Sequence, residues 1–229
     1  MRGRKLRGQA KLLGRCFVSG EHRFVYFEVP KAACTSIKAA LLPLFPGVEP
    51  DGDPLHKGVI HRAFEGSPYQ VRTAKLLEER GYRDFYKFSF VRNPWDRLFS
   101  CYRSKVKNRR GVWLTETSYS GGQLYPNMPF REFVEVVCRT PDEEANPHFR
   151  SQAAFLFSPK RDLLPDFVGR FENLAEDFRE VAERIGVDLE LPHANPSRPA
   201  DYRRAYGPGL ARTVEERYRE DVDLFDYSF

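Results

Sequence analysis

The chain has 229 residues, with 37 Lys and Arg against 32 Asp and Glu, a net charge of +5 and a pI near 9.0. Apolar and aromatic contents of 41% and 14% exclude a disordered chain, and the length suits one sizeable α/β domain better than two full ones. No run approaches the roughly 20 consecutive apolar residues of a membrane span. Met1 to Ser19 lacks the apolar core of a secretory signal, and Cys16, Cys34, Cys101 and Cys138 show neither metal spacing nor disulfide density, which points to a reducing cytoplasm.

Arg2, Arg4, Lys5, Arg7, Lys11 and Arg15 occur at the start without an acid between them, so residues 1–20 read as a solvated basic arm and residues 21–229 as the domain. Phe24, Val25, Tyr26, Phe27 and Val29, with Glu28 as their single charge, predict a strand buried on both faces. Ile37, Ala40, Leu41 and Leu44 then fall at i, i+3, i+4 and i+7, a helix that Pro43 ends near Leu42. Between strand and helix lies Pro30-Lys31-Ala32-Ala33-Cys34-Thr35-Ser36. Small side chains let this backbone curl around a ligand, the helix start offers N–H groups and a positive dipole end, and Lys31, Thr35 and Ser36 add a charge and two hydroxyls. A phosphate or sulfate suits such a loop. It is not the nucleotide loop G-x-x-x-x-G-K-[ST], because the lysine comes first and glycine is missing.

In Leu55-His56-Lys57-Gly58-Val59-Ile60-His61, Val59 and Ile60 predict a short buried strand that delivers His61. Tyr86 to Val91 predicts a second buried strand, followed by Arg92, by Asn93 as helix N-cap and by Pro94 in the first turn. Trp95, Leu98, Phe99, Tyr102 and Val106 give that helix its apolar stripe; Ser100 lies off the stripe with Asp96, Arg103 and Lys107. A guanidinium fork suits phosphate oxygens better than an ammonium does. Two strand–loop–helix units thus predict two anion sites on one sheet. The basic cluster Arg103, Lys105, Lys107, Arg109, Arg110 reads as a solvated face, and residues 108–130, with Gly121-Gly122, as a lid or acceptor loop. Leu174, Phe178, Val181, Ala182 and Ile185 predict a third helix ending before Gly186, and His193-Ala194-Asn195-Pro196-Ser197-Arg198 a polar loop.

Pro30 to Thr35 resembles the P-K-x-A-C-T 5′-phosphosulfate loop of the carbohydrate sulfotransferases, enzymes that use 3′-phosphoadenosine 5′-phosphosulfate (PAPS). Phe90 to Tyr102 matches their F-V-R-x-P-x-x-R-L-x-S-x-Y pattern position by position, and Asp166 to Phe178 is similar to their I-G-[KR]-[YF]-E-x-L-x-x-D-F stretch. His148-Phe149-Arg150-Ser151-Gln152 resembles H-W-x-x-Q with Phe in place of Trp, and Tyr218 to Tyr227 resembles a Y-x-x-D-x-x-L-F-x-Y close. The likeness covers most of Phe24 to Phe229 and is thin from Leu44 to Arg83. It implies a three-layer α/β fold with a mainly parallel central sheet, P-loop-like in plan, that moves a sulfuryl group from PAPS to a carbohydrate hydroxyl without a metal. It assigns Lys31, Ala32, Ala33, Cys34, Thr35 and Ser36 to the 5′-phosphosulfate, Arg92 and Ser100 to the 3′-phosphate, and Ser197 and Arg198 to a loop closing over the nucleotide. Lys31 would also stabilise charge on the bridging oxygen.

The family's base commonly lies between the two phosphate sites, which admits His56 and His61 and favours His61. His148 is the rival, and Glu28 is a carboxylate near the loop that a strand-face salt bridge explains better. The Golgi anchor usual in animal relatives has no counterpart here, as expected of a compact bacterial form or a trimmed chain. Two other classes compete. A nucleotide-dependent kinase lacks its Gly-Lys-Ser/Thr and a clear metal-binding Asp, and a non-catalytic nucleic-acid or polyanion binder is opposed by the interspersed acids and the absence of a nucleic-acid motif.

Overall fold

The computed structural model describes residues 12–56, 58–107, 117–192 and 202–229. In chain order the strands are β1 (Arg15–Ser19), β2 (Phe24–Phe27), β3 (Gln70–Arg72), β4 (Tyr86–Val91), β5 (Ser118–Tyr119), β6 (Gly122–Gln123) and β7 (Phe167–Arg170). The helices are α1 (Cys34–Leu41), α2 (Val59–Ala63), α3 (Thr73–Leu76), α4 (Pro94–Lys105), α5 (Phe130–Arg139), α6 (Ala153–Leu156), α7 (Leu174–Arg184), α8 (Pro208–Arg217) and α9 (Arg219–Leu224). They fall into two units, one of Met1–Val91 with Phe155–Pro196, the other of Arg92–Ala154 with Ser197–Phe229.

The first unit holds a five-stranded sheet in the order β3-β1-β2-β4-β7. β2, β4 and β7 pair in parallel, as expected, but β1 pairs antiparallel with both β2 and β3, so the sheet is mixed. The reason is the short turn at residues 20–23, where Arg23 takes φ 51°: a connection this short can only reverse the chain. Residues 15–19 therefore belong to the sheet, and the boundary expected at residue 20 moves to before Arg15.

Alternation along the strands decides what each side chain meets. Phe17, Phe24, Tyr26, Phe88 and Phe90 share a core with Ile37, Ala40 and Leu41 of α1, Ile60 of α2, and Phe178 and Val181 of α7. Val25 and Phe27 alternate with Phe24 and Tyr26, and Ser89 and Val91 with Phe88 and Phe90; all are buried, so β2 and β4 are covered on both faces. Gly169 in β7 leaves room for the Phe90 ring: a Cβ there would sit 2.7 Å from Phe90 Cδ1 and 3.1 Å from Asp177 Cβ. Gly169→Ala should therefore cost about 1–3 kcal/mol by overpacking. Urea unfolding reads it as a lower midpoint at unchanged slope, and an unchanged midpoint would mean that Phe90 moves aside freely.

The second unit is largely helical. α4 and α5 both pack on α8, and Tyr102, Phe130, Phe133 and Tyr206 form an aromatic cluster. β5 and β6 make a hairpin against α5, where a Cβ on Gly121 would lie 2.6 Å from Thr140 Oγ1. The Ser120 N–H donates to Glu144 Oε2 (2.9 Å) and the Asn127 N–H to Val106 O (3.1 Å), so the latter half of the segment read as a lid is tied down. Residues 108–116 of that segment lie outside the described residues. Among the described residues no helix is long and apolar enough to cross a membrane.

Candidate active site

The loop between β2 and α1 curls because two of its residues adopt left-handed backbone, Lys31 at φ 73° and Ala33 at φ 61°. Each costs on the order of 1–2 kcal/mol in a residue with a Cβ. The conformation is pinned by burial of Ala32, by the Ala32 N–H donating to Val29 O (3.3 Å), and by the Ile37 N–H donating to Ala33 O (3.1 Å). Left-handed residues alternating with ordinary ones turn successive N–H groups inward, a concavity that suits an anion. No side chain caps α1, whose first turn carries Thr35 and Ser36, both half-buried. The sequence anticipated the curl but assigned it to small side chains; strained backbone achieves it instead, and such strain concentrates at functional sites.

Behind the loop lies a polar cluster inside the core. Period-2 alternation puts Glu28 on the side of Phe24 and Tyr26, beneath α1. Lys38, only 1% exposed, reaches down from α1 to meet it: Nζ lies 2.6 Å from Glu28 Oε1, 2.5 Å from His61 Nδ1 and 4.9 Å from the centre of the Phe17 ring. His61 Nε2 lies 3.2 Å from Thr35 Oγ1, in the curled loop itself. His61 comes from a helix and not from the expected strand. Gly58 at φ 82° starts α2, and Val59, Ile60, Ala63 and Phe64 recur at i, i+1, i+4 and i+5, a helical stripe whose first two members alone look like a strand.

Burial pushes the Glu28 carboxyl up, but the charges of Lys38, His61 and Arg15 outweigh it and hold the group below its ordinary range. The Cys34 thiol moves the other way, raised by burial and by Glu28 more than Lys38 and Lys31 lower it. Ligand atoms of Glu28, Cys34 and His61 lie within 4.8 Å of one another, a spacing seen in metal sites. Here the Lys38 ammonium already lies against two of the three, Glu28 Oε1 at 2.6 Å and His61 Nδ1 at 2.5 Å, and supplies a positive charge beside them. Sequence reading passed over Lys38, although a signal existed. Cys34, Lys38, Leu41 and Phe45 fall at i, i+4, i+7 and i+11, so the lysine sits in a buried stripe and must have a partner there.

In the second unit Arg92 is buried, with Nε and Nη2 donating to Asp96 Oδ2 at 2.9 and 2.8 Å. Asn93 caps α4 as expected, Oδ1 accepting from the Trp95 N–H (3.1 Å) and the Asp96 N–H (3.5 Å), while Nδ2 donates to Ser228 O (2.9 Å). Gln152 grips the Arg92 backbone at both polar groups: Oε1 accepts from its N–H (2.9 Å) and Nε2 donates to its carbonyl (2.8 Å). Asp221 in turn accepts from the Gln152 and Ala153 N–H groups, both at 2.8 Å, and the Tyr218 hydroxyl donates to Phe149 O (2.6 Å). The H-x-x-x-Q and Y-x-x-D motifs are thus one hydrogen-bonded chain ending at Arg92.

Ser100 is half-buried one turn beyond Asp96 on α4. His148 is half-buried in a turn where Asn146 Oδ1 accepts from its N–H (3.1 Å) and lies 2.7 Å from Nδ1; His56 is exposed before α2. Ser197 and Arg198 lie outside the described residues. The structure therefore gathers Lys31, Cys34, Thr35 and His61, with Glu28 and Lys38, in the first unit, and places Arg92, Ser100 and His148 in the second.

Asp221 is fully buried, and burial raises its carboxyl from 3.8 to about 6 against the two N–H groups and Arg97 that favour its ionised form. The folded state therefore holds this proton more tightly than the unfolded one. Its stabilising contribution is complete below pH 4 and is lost as pH rises through about 6. Asparagine does not titrate, so the stability gap between wild type and Asp221→Asn should narrow by about 2 kcal/mol from pH 4 to pH 7. Urea unfolding at several pH values measures the gap, and a pH-independent one would mean that Asp221 titrates as in the unfolded chain.

The model of the family described as "Sulfotransferase family" matches residues 14–228. The chain is 31% identical over 240 residues to carbohydrate sulfotransferase 14 of Mus musculus, covering 94% of this chain and 61% of that protein. The Homo sapiens protein of the same name is 31% identical over 239 residues with the same coverage, and carbohydrate sulfotransferase 9 of Homo sapiens is 25% identical over 250 residues, covering 94% and 54%. The chain thus spans about three fifths or less of the length of these curated relatives. No solved structure matches it. The family match begins just before β1 and ends at the penultimate residue, so both the curled loop and the Arg92 turn lie inside it: this chain belongs to the sulfotransferase family.

Proposed function

We propose that the chain transfers a sulfuryl group from PAPS to a hydroxyl of a carbohydrate acceptor, on a three-layer, P-loop-like sheet plan. The curled loop carries this reading: Lys31 and Ala33 spend strain on an inward-facing backbone at the head of α1, an arrangement that suits an anion. In this reading Lys31, Ala32, Ala33, Cys34, Thr35 and Ser36 hold the 5′-phosphosulfate, and Arg92 with Ser100 holds the 3′-phosphate. Ser197 and Arg198 join them on the resemblance alone. PAPS supplies the activated sulfuryl group and a phosphate leaving group. Lys31 places its ammonium where charge gathers on the bridging oxygen, and preorganised charge of that kind lowers a barrier most. His61 is the base for the acceptor hydroxyl, supported by its contact with Thr35 of the loop. His148 and His56 are less favoured, the first being tied to Asn146 and the second exposed. A reducing, cytoplasmic setting belongs to the same reading, supported by four free cysteines.

Calorimetric titration with 3′,5′-adenosine bisphosphate, the spent donor, tests the reading against ATP with Mg²⁺. Micromolar bisphosphate binding with little response to ATP is expected. Preference for ATP with Mg²⁺ would overturn it in favour of the kinase, and binding of neither would leave a polyanion binder.

A further inference from the structure

The His61 ring is engaged at both nitrogens, Nδ1 against Lys38 Nζ and Nε2 against Thr35 Oγ1. A neutral imidazole has one N–H and one lone pair, so the two contacts constrain each other. With Lys38 as an ammonium donating to Glu28 and to Nδ1, the ring proton sits on Nε2, pointing at Thr35. That tautomer accepts nothing at Nε2. A lone pair appears at Nε2 only when the Lys38–His61 pair has lost one proton, leaving Nδ1–H donating to a neutral Lys38 amine.

We infer that Lys38 is the destination of the proton that His61 removes, and that the Lys38–His61 pair, not the imidazole alone, sets the pH dependence of the reaction. The inference rests on His61 being the base. In the step, the acceptor oxygen bonds to sulfur while the bond from sulfur to the bridging oxygen breaks, its electron pair leaving with the phosphate. The hydroxyl proton passes to Nε2 and the Nδ1 proton to Nζ. The pair ends as an Nε2–H imidazole beside an ammonium, and Glu28 Oε1 at 2.6 Å neutralises the new charge. The next cycle requires one proton to leave, and the His61 side chain is 40% exposed against 2% for Lys38, so it leaves through the ring. Lys38 is thus a positioning residue that acts through His61.

Other groups around the pair set its proton affinity. The Glu28 carboxylate lies on the pair, 2.6 Å from Lys38 Nζ and 3.5 Å from His61 Nδ1, and the same carboxylate feels the Arg15 cation. Cys34 and Tyr26 remain protonated, because burial and the Glu28 charge raise both. Arg62, next to His61 on α2, is exposed.

Nitrogen-15 NMR of the histidine rings in the full chain tests the coupling without an acceptor. In wild type, His61 should hold the Nε2–H tautomer through neutral pH and shift to Nδ1–H with a midpoint above about 8, in the amine range and not near the ordinary 6.5. The Glu28→Gln/Lys38→Met double variant removes one charge of each sign and so avoids a stranded buried carboxylate. Its His61 should titrate near 6.5 as a mixture of tautomers. The pH profile of bisphosphate release from PAPS, with a mixture of desulfated glycans as acceptor, should move with it, its rising limb shifting down by more than one pH unit. A wild-type His61 that becomes imidazolium near pH 6.5 overturns the inference even if the double variant does not fold. If the NMR coupling is present but His61→Asn keeps turnover, the base assignment falls and the relay with it.

Discussion

Lys31→Ala is expected to slow sulfuryl transfer by about 10²–10³-fold, the loss typical when one preorganised charge is removed from a site of developing negative charge. Alanine meets the same left-handed backbone at φ 73° as lysine does, so the loop should keep its shape and bisphosphate affinity should change far less than the rate. Lys31→Gly separates charge from strain. Glycine adopts this conformation without steric cost, so that variant should be more stable than Lys31→Ala by up to about 1 kcal/mol and equally slow. Single-turnover transfer from PAPS measures the rate and thermal unfolding the stability. A rate loss below tenfold in both variants would remove Lys31 from the chemistry.

Arg92→Ala should weaken 3′,5′-adenosine bisphosphate by about 10²-fold or more. Charge-assisted hydrogen bonds are worth about 1.5–3 kcal/mol each, and the substitution strips Asp96 of its partner and leaves a carboxylate beside the proposed phosphate site. Arg92→Lys keeps the charge but not the fork, so it should recover only part of the loss. Adding Asp96→Ala to Arg92→Ala should recover part of it by another route, since it removes the repulsion. Adenosine 5′-phosphate is the decisive ligand: lacking the 3′ group, it should bind wild type and Arg92→Ala about equally. Equal losses for both nucleotides would make Arg92 a structural residue. Gln152→Ala tests the grip on the Arg92 backbone and should show a smaller loss, about tenfold, again confined to the bisphosphate.

Much of this machinery could be read from the chain because its signals are local. β2, β4 and the two loops announce themselves by an apolar run followed within a few residues by Pro30-Lys31 or by Arg92-Asn93-Pro94, and the Asn93 cap is a contact across two and three residues. β1 was hidden because Arg15–Ser19 is short, begins with a charge and draws its stability from pairing on both sides. α2 was mistaken because Val59-Ile60 fits two periods equally. The hydrogen bonds that the Arg92 N–H donates to Gln152 and the Gln152 N–H donates to Asp221 span 60 and 69 residues, so motifs recognised by likeness acquired a physical role only in three dimensions.

Both units are discontinuous in the chain, and this governs when they can form. The first lacks β7 and α7 until Phe155–Pro196 is added, and the second lacks α8 and α9 until Ser197–Phe229 follows. On the ribosome, a nascent chain that has reached residue 154 completes neither. Its apolar strands must wait for partners made later, a period of exposure that favours aggregation and chaperone capture. The Gln152 grip on the Arg92 backbone should therefore form late in synthesis, after Asp221 has emerged to seat Gln152.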